Sequence, residues 1–184
     1  MLSTSSVLQQ VIPVTDITTP KDYLEFLHPV AGEKGGIAVA HRVGAYWLQR
    51  SVTIAKAAST VADWAGQDDC YVSMNRFRGR RLMANLYSLR ALWTDLDFHR
   101  LKAWQDWSAQ AIWELVIPDY LSASGLPGPT VGISSGRGIY LIWLFGAVPG
   151  QALPRWSACQ KRIFEAFRGL GADRQAIAAD RYGK

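Results

Sequence analysis

Short segments rich in Val, Ile, Tyr and Trp alternate along this chain with stretches of helical periodicity, which predicts an α/β (α+β) fold with a mixed sheet. Size and composition agree. The 184 residues suffice for one domain or two small lobes packed together. Hydrophobic residues make up 49%, which argues for a globular chain and against disorder.

Residues 1–19 are rich in Ser and Thr and are expected to form a loose arm, with a single domain over 20–184. Thr19-Pro20 ahead of Lys21–Leu27 predicts a capped helix with Pro20 at its first position. Gly32–Gly36 is expected to turn, followed by strands over Ile37–Arg42 and Tyr46–Val52 joined at Gly44. Ile54–Trp64 has Ala-rich helical character and Gly66 would end it. Cys70–Asn75 reads as a strand, and Arg76–Arg81 as a basic loop that could hold an anion. Ala91–His99 reads as a strand. Arg100–Val116 is expected to be an amphipathic helix, with Leu101, Trp104, Trp107, Ala111 and Leu115 on its core face. Ser122–Pro129 has loop composition, and two strands follow, Thr130–Ser134 and Gly138–Phe145. Pro154–Leu170 predicts a helix stopped by Gly171.

A net charge of +5 favours an anionic partner, with nucleic acid or nucleotides first in line. Cys70 and Cys159 are too few for a disulfide scaffold or a cysteine-based zinc site. The longest apolar stretch, Ile139–Val148, is broken by Gly146 and too short to span a bilayer. Met1–Ser6 lacks the basic start of a signal peptide, so a cytoplasmic protein is expected.

The chemistry is concentrated in Ala91–His99, an apolar run holding Asp95 and Asp97 two residues apart. On a strand both carboxylates share a face, with Cβ atoms roughly 6.5–7 Å apart. Such a pair can converge on hard cations about 3.5–4 Å from each other, the geometry of two-metal phosphoryl transfer. An Asp-x-Asp also suits an edge strand whose polar face meets water. Here the flanking Leu92, Trp93, Leu96 and Phe98 imply burial, where unpaired carboxylates would be costly without a cation. Further along, Ser134-Ser135-Gly136-Arg137-Gly138 is a tight turn with hydroxyls, amides and a guanidinium able to cradle phosphate oxygens. An aspartate, Asp173, follows the last long helix.

This ordered set resembles the archaeo-eukaryotic primase superfamily, and especially its plasmid- and phage-borne primase-polymerase branch. Trp93-Thr94-Asp95-Leu96-Asp97-Phe98 resembles the first motif, Ser135-Gly136-Arg137-Gly138-Ile139-Tyr140 the second, and Gly171-Ala172-Asp173 the third. Tyr71–Phe77, Arg80-Arg81 and Asn85-Leu86 are similar to the lead-in of replication primases of mobile elements. The resemblance covers about residues 70–184. It departs from the pattern in two places. Tyr140 stands where a histidine is frequent, shifting load to Arg137, and the chain stops at Lys184 where many relatives continue into a basic stretch. A helical or helicase region downstream of this domain is therefore expected.

The resemblance implies a two-lobed core, an N-terminal α/β unit and a C-terminal RRM-like unit with the site in the cleft between. It implies a DNA primase or primase-polymerase, a nucleotidyltransferase that makes and extends primers on single-stranded DNA in plasmid or phage replication. Asp95, Asp97 and Asp173 would be the catalytic residues and would bind two Mg²⁺ or Mn²⁺ ions. Ser135, Arg137 and Tyr140 would hold the NTP or dNTP, and Arg78, Arg80 and Arg81 would contact nucleic acid. A monomer is expected, with a replicative helicase as a partner and no membrane. A catalytically silent single-stranded DNA-binding module of the same fold is the alternative. A metal-dependent nuclease or relaxase lacks its His-x-His pair, since His28, His41 and His99 are scattered.

Overall fold

The computed structural model describes residues 19–29, 34–64, 70–179 and 182–183. The expected N-terminal arm, except Thr19, and the helix stop at Gly66 lie outside them. Thr19 caps α1 (Pro20–Leu27) through a capping box, its Oγ1 accepting from the Asp22 N–H at 3.1 Å while Asp22 Oδ2 accepts from the Thr19 N–H at 2.9 Å. The elements that follow are β1 (Ile37–Val43), β2 (Tyr46–Val52), α2 (Ile54–Ala62), β3 (Tyr71–Ser73), β4 (Arg76–Phe77) and β5 (Leu86–Leu96). After these come α3 (Ala109–Ala111), a π-helical stretch Ile112–Val116, α4 (Ile117–Ser124), β6 (Val131–Ser134), β7 (Ile139–Pro149), α5 (Leu153–Phe167) and β8 (Tyr182–Gly183).

The strands form two four-stranded sheets, ordered β2-β1-β3-β8 and β4-β5-β7-β6. Every described strand pair is antiparallel, where a mixed sheet was expected. The pairs β1–β2, β4–β5 and β6–β7 are hairpins of consecutive strands, and a hairpin can only run antiparallel.

The second sheet is buried on both faces. Ala91, Trp93, Tyr140 and Ile142 pack with Leu27, Ile37, Val39 and Met74 of the N-terminal part. Leu96, Ile139, Leu141 and Trp143 pack on Ile112, Ile117, Ile163 and Phe167. That two-sided burial explains why β5 and β7 read as apolar runs rather than as alternations. Each Leu, Ile, Val, Met or Phe side chain among them contributes roughly 1.5–3 kcal/mol.

From Ala91 onward β5 has a partner strand, β7, on one side only; α5 serves the other side at Ala91 and Trp93, and the chain after α5 serves it beyond. Trp156 Nε1 donates to the Ala91 carbonyl at 2.7 Å. The Gln160 amide accepts from the Trp93 N–H at 3.2 Å and donates to the Trp93 carbonyl, and also donates to the Ala176 carbonyl at 3.0 Å. Gln160 is thus a buried polar residue whose amide takes the place of a neighbouring strand.

A second buried relay ties the sheets together. His28 Nε2 donates to the Ser73 carbonyl at 2.8 Å, and Ser73 Oγ accepts from the Ala38 N–H at 3.0 Å and donates to the Asn75 carbonyl at 2.9 Å. Asn75 in turn accepts from the Arg90 N–H on β5 and donates to the Ala179 carbonyl. Burial pushes the His28 pKa down to about 4; the bond to Ser73 opposes this, and the charges of Arg76 and Arg90 add to it.

Several expected elements differ in detail. Arg100–Val116 is not one helix: helical turns start only at Ala109, capped by Ser108 Oγ accepting from the Ala111 N–H. Before it, single turns close over three residues, Leu101 N–H to Phe98, Trp104 to Leu101 and Trp107 to Trp104. The large residues at 101, 104 and 107 follow that three-residue step, which is 3₁₀-like rather than α-helical. Trp107 in these turns and Leu115 in the π-helical stretch are exposed, not core. The basic loop begins later than expected, because Arg76 and Phe77 form β4 and are fully buried. The aspartate strand starts at Leu86 and ends at Leu96, α4 runs on to Ser124 inside the expected loop, and β7 reaches Pro149.

Two outcomes are expected. Gln160→Met keeps volume but strands the Trp93 N–H and carbonyl, so urea unfolding should show a loss of roughly 2–6 kcal/mol. His28 is held neutral, so its contribution is complete above about pH 6.5 and is lost as pH falls toward 4. Wild-type stability should decline by up to roughly 3 kcal/mol more than that of His28→Gln across that window, since the amide cannot charge.

Candidate active site

Asp95 is the penultimate residue of β5, and Asp97 follows the strand where the backbone turns away at φ −83° and ψ 46°. Asp173 arrives from the end of α5. There a 3₁₀ turn, Arg168–Leu170, leads into Gly171, and Ala172 forms an antiparallel bridge with Leu96. The Asp97 N–H donates to the Gly171 carbonyl at 3.0 Å and the Asp173 N–H to the Asp95 carbonyl at 2.8 Å. This register sets Asp173 directly across from Asp95, while Tyr140 of β7 pairs with Asp95 on its other side. Directly opposed residues have Cβ atoms about 4.5–5.5 Å apart, and like charges so placed are destabilising. All three aspartates are half-buried.

Two glycines press against the strand end between them. A Cβ at Gly138 would lie 2.5 Å from the Leu96 carbonyl oxygen, and one at Gly171, where φ is +82°, would lie 3.1 Å from the Asp97 carbonyl carbon and oxygen. Gly138 lets the turn after β6 close against β5. Within that turn the Ser135 N–H donates to the Gly138 carbonyl at 3.0 Å, and the Gly138 N–H to Ser135 Oγ at 3.2 Å.

These parts surround one cavity of about 880 Å³. Asp95, Asp97 and Asp173 line it together with Ser135, Arg137, Tyr140 and Arg81. Arg78 and Arg80 do not: Arg78 lies over the Tyr87 ring, 5.1 Å from its centroid, beside a separate depression, and Arg80 is exposed. The cavity also draws in Trp47, Gln49, Arg100 and Gln175, which sequence reasoning passed over, Tyr71, named there only as part of a lead-in resemblance, and His99, set aside there as a scattered histidine. Of the four passed over, only Arg100 left a local signal, its three-residue spacing from Asp97.

Three carboxylates and the guanidiniums of Arg81, Arg100 and Arg137 share this wall. Asp97 Oδ2 lies 3.2 Å from Arg100 Nη1, and Asp173 Oδ1 accepts from the Gln175 N–H at 2.9 Å. Among the described residues no three His, Cys, Asp or Glu side chains enclose an ion unaided. An all-carboxylate donor set in an open cavity still fits Mg²⁺ or Mn²⁺, because such ions bind through one or two carboxylates and complete their shell with water and substrate oxygens. An arriving ion would compete with Arg100 for Asp97.

No family model matches the chain. A curated replication protein of Clostridium perfringens is 34% identical over 147 residues, covering 73% of this chain and 34% of that protein. The chain therefore spans about a third of the length of the curated relative it matches. Among solved structures, the AEP domain of the cyanophage S-2L primase-polymerase superposes with a TM-score of 0.54 at 19% identity, covering 82% of this chain and 71% of that one. The fold is thus that of an archaeo-eukaryotic primase domain. No described helix is long and apolar enough to cross a membrane.

The glycine packing is directly testable by thermal unfolding. Gly138→Ala should cost about 1–3 kcal/mol, because a backbone carbonyl blocks its Cβ. Gly146→Ala, whose Cβ meets nothing within 4 Å, should change stability by no more than about 0.5 kcal/mol.

Proposed function

We propose that this chain is the catalytic domain of a replication primase, performing template-directed nucleotidyl transfer on single-stranded DNA and extending the primers it makes. The observation that carries this reading is the meeting of Asp95, Asp97, Asp173 and the Ser135–Arg137 turn in one cavity. Its primase-type fold and its similarity to a replication protein support it.

In this reading Asp95, Asp97 and Asp173 hold two Mg²⁺ or Mn²⁺ ions. When bound, such ions acidify a primer 3′-hydroxyl and neutralise the charge of a triphosphate and its leaving pyrophosphate. The remaining work falls to the chain's own residues. Arg137 offers bidentate contacts to triphosphate oxygens, and Ser135 adds a hydroxyl on the same exposed turn. The buried Tyr140, beside Asp95 in register, can orient the phosphates by hydrogen bonding but brings no charge at neutral pH. Arg81 supplies a cation for template phosphate, with Arg78 and Arg80 as contacts outside the cavity. The walls orient the reacting groups, which is where much of the barrier to phosphoryl transfer is removed.

A catalytically silent DNA-binding module is the second reading, favoured by one observation: Asp97 is already paired with Arg100. The two are separated by measuring nucleotide incorporation on single-stranded template with Mn²⁺ alongside binding in chelator. Asp95→Asn should leave template affinity intact or slightly improved, since a carboxylate repels the phosphate backbone. Nucleotidyl transfer should fall by at least about 10³, roughly 4 kcal/mol of barrier. Equal activity in Asp95→Asn would refute the metal role, and wild-type binding without incorporation would favour the silent module.

A further inference from the structure

The cavity wall contributed by the N-terminal sheet has no part in the chemistry above. It comes from the β1–β2 hairpin and β3. Trp47 and Gln49 lie two apart on β2 and both line the cavity, together with Tyr71 of β3. Register puts Arg42 of β1 directly across from Trp47, and Ala40 across from both Gln49 and Tyr71, so these residues share one face of the sheet. Arg42 Nε donates to the Gly44 carbonyl at 3.0 Å, which holds the side chain to the hairpin. Gln49 Oε1 accepts from Arg81 Nε at 3.3 Å, joining this face to the basic loop.

Trp47 is a large aromatic left 54% exposed at the mouth of a charged cavity. Its contact with Tyr71 is edge-on, with centroids 5.1 Å apart and planes at 65°. A T-shaped pair occupies at most one of the four ring faces. Of the charged side chains on the hairpin, Arg42 shares this face, while Arg50 lies on the other, over the Trp64 ring at 5.5 Å; Arg81 and Arg137 line the same cavity, as do Asp95, Asp97 and Asp173. An exposed aromatic ring with Arg42 across from it, on a hairpin that carries no Asp or Glu, has the chemistry of a single-stranded nucleic-acid platform, where bases stack and phosphates meet cations.

We infer that Trp47 stacks on a base of the single-stranded template as it enters the cavity, with Arg42 taking the adjoining phosphate. This rests on the reading of the cavity as a nucleotidyl-transfer site and names the residue that grips its template. Stacking is blind to base identity, as a primase that copies any sequence requires.

The test uses labelled oligo-dT, with affinity read by fluorescence anisotropy in chelator so that no chemistry occurs. Trp47→Ala should weaken binding about 5- to 150-fold, the range for removing one base-stacking ring. Its salt dependence should stay unchanged, because the ring neutralises no phosphate. Arg42→Ala should instead flatten the slope of log affinity against log salt by about 0.7. Trp47→Phe keeps a ring and should retain most of the affinity. Wild type should prefer oligo-dT to an abasic strand of equal length, and Trp47→Ala should lose that preference. In incorporation assays Trp47→Ala should raise the template KM with kcat unchanged, the opposite of Asp95→Asn.

Unchanged oligo-dT affinity in Trp47→Ala, or no wild-type preference for bases over abasic strand, overturns the stacking role while leaving the catalytic reading standing. Loss of self-association in place of DNA affinity would assign the face to a second copy of the chain and equally overturn it. Absence of any wild-type binding to single-stranded DNA overturns both readings.

Discussion

The structure depends on closing the open side of β5. A strand buried on both faces cannot leave its peptide groups without partners, since each stranded donor or acceptor costs about 1–3 kcal/mol. β4 reaches only as far as Ser88, so another element must supply the bonds. Trp156 and Gln160 of α5 serve Ala91 and Trp93. The loop after α5 then serves Asp95 and Asp97 through the backbone of Asp173 and Gly171. A helix aligned along a strand edge in this way ends beside the strand's own end. That alignment delivers a third carboxylate to the first two, and the same bonds that complete the sheet assemble the site.

Electrostatics follow from that geometry. Tyr140, Asp95 and Asp173 stand in a row across the sheet, with Asp97 two residues along from Asp95. Opposed carboxylates are held there by backbone bonding and by packing around Gly138 and Gly171, so their repulsion is offset by the fold. Arg100, Arg137 and Arg81 line the same cavity and bring compensating charge. The result is a site with fixed anions on one strand end and cations on flanking turns and loops. Such an arrangement suits a substrate that is itself a polyanion carried with cations.

The two sheets have different burdens. The β5–β7 sheet is covered on both faces and serves as scaffold. In the N-terminal sheet β1 is buried over most of its length, but β2 is exposed along nearly all of its own. The His28–Ser73–Asn75 relay locks that sheet to β5 through the Arg90 N–H. The exposed hairpin is thereby held at a set position beside the cavity, which a surface used for binding requires.

Much of this was legible in the residues themselves. The Thr19-Pro20 cap, the hairpin at Gly44, the apolar strand bearing Asp95 and Asp97, and the long helix stopped at Gly171 all rest on local rules: capping, period, and the conformations open to Gly and Pro. The same locality explains the failures. Leu101, Trp104 and Trp107 recur at a three-residue step that suits an α-helix or a chain of single turns, and only Ser108 with its hydrogen bond to Ala111 decided where the helix begins. The four-arginine loop looked uniform, yet pairing with β5 buried Arg76 while leaving Arg78 and Arg80 outside. That Asp173 faces Asp95 was available only through family resemblance, and that Trp47 and Tyr71 share its cavity was not available at all. Those facts depend on which edge of β5 needed closing and which sheet face turned inward. Most elements and the acidic pair were readable locally, because those signals act over a few residues. The tertiary structure decided the site, because unpaired backbone groups and buried surface find their partners across the whole chain.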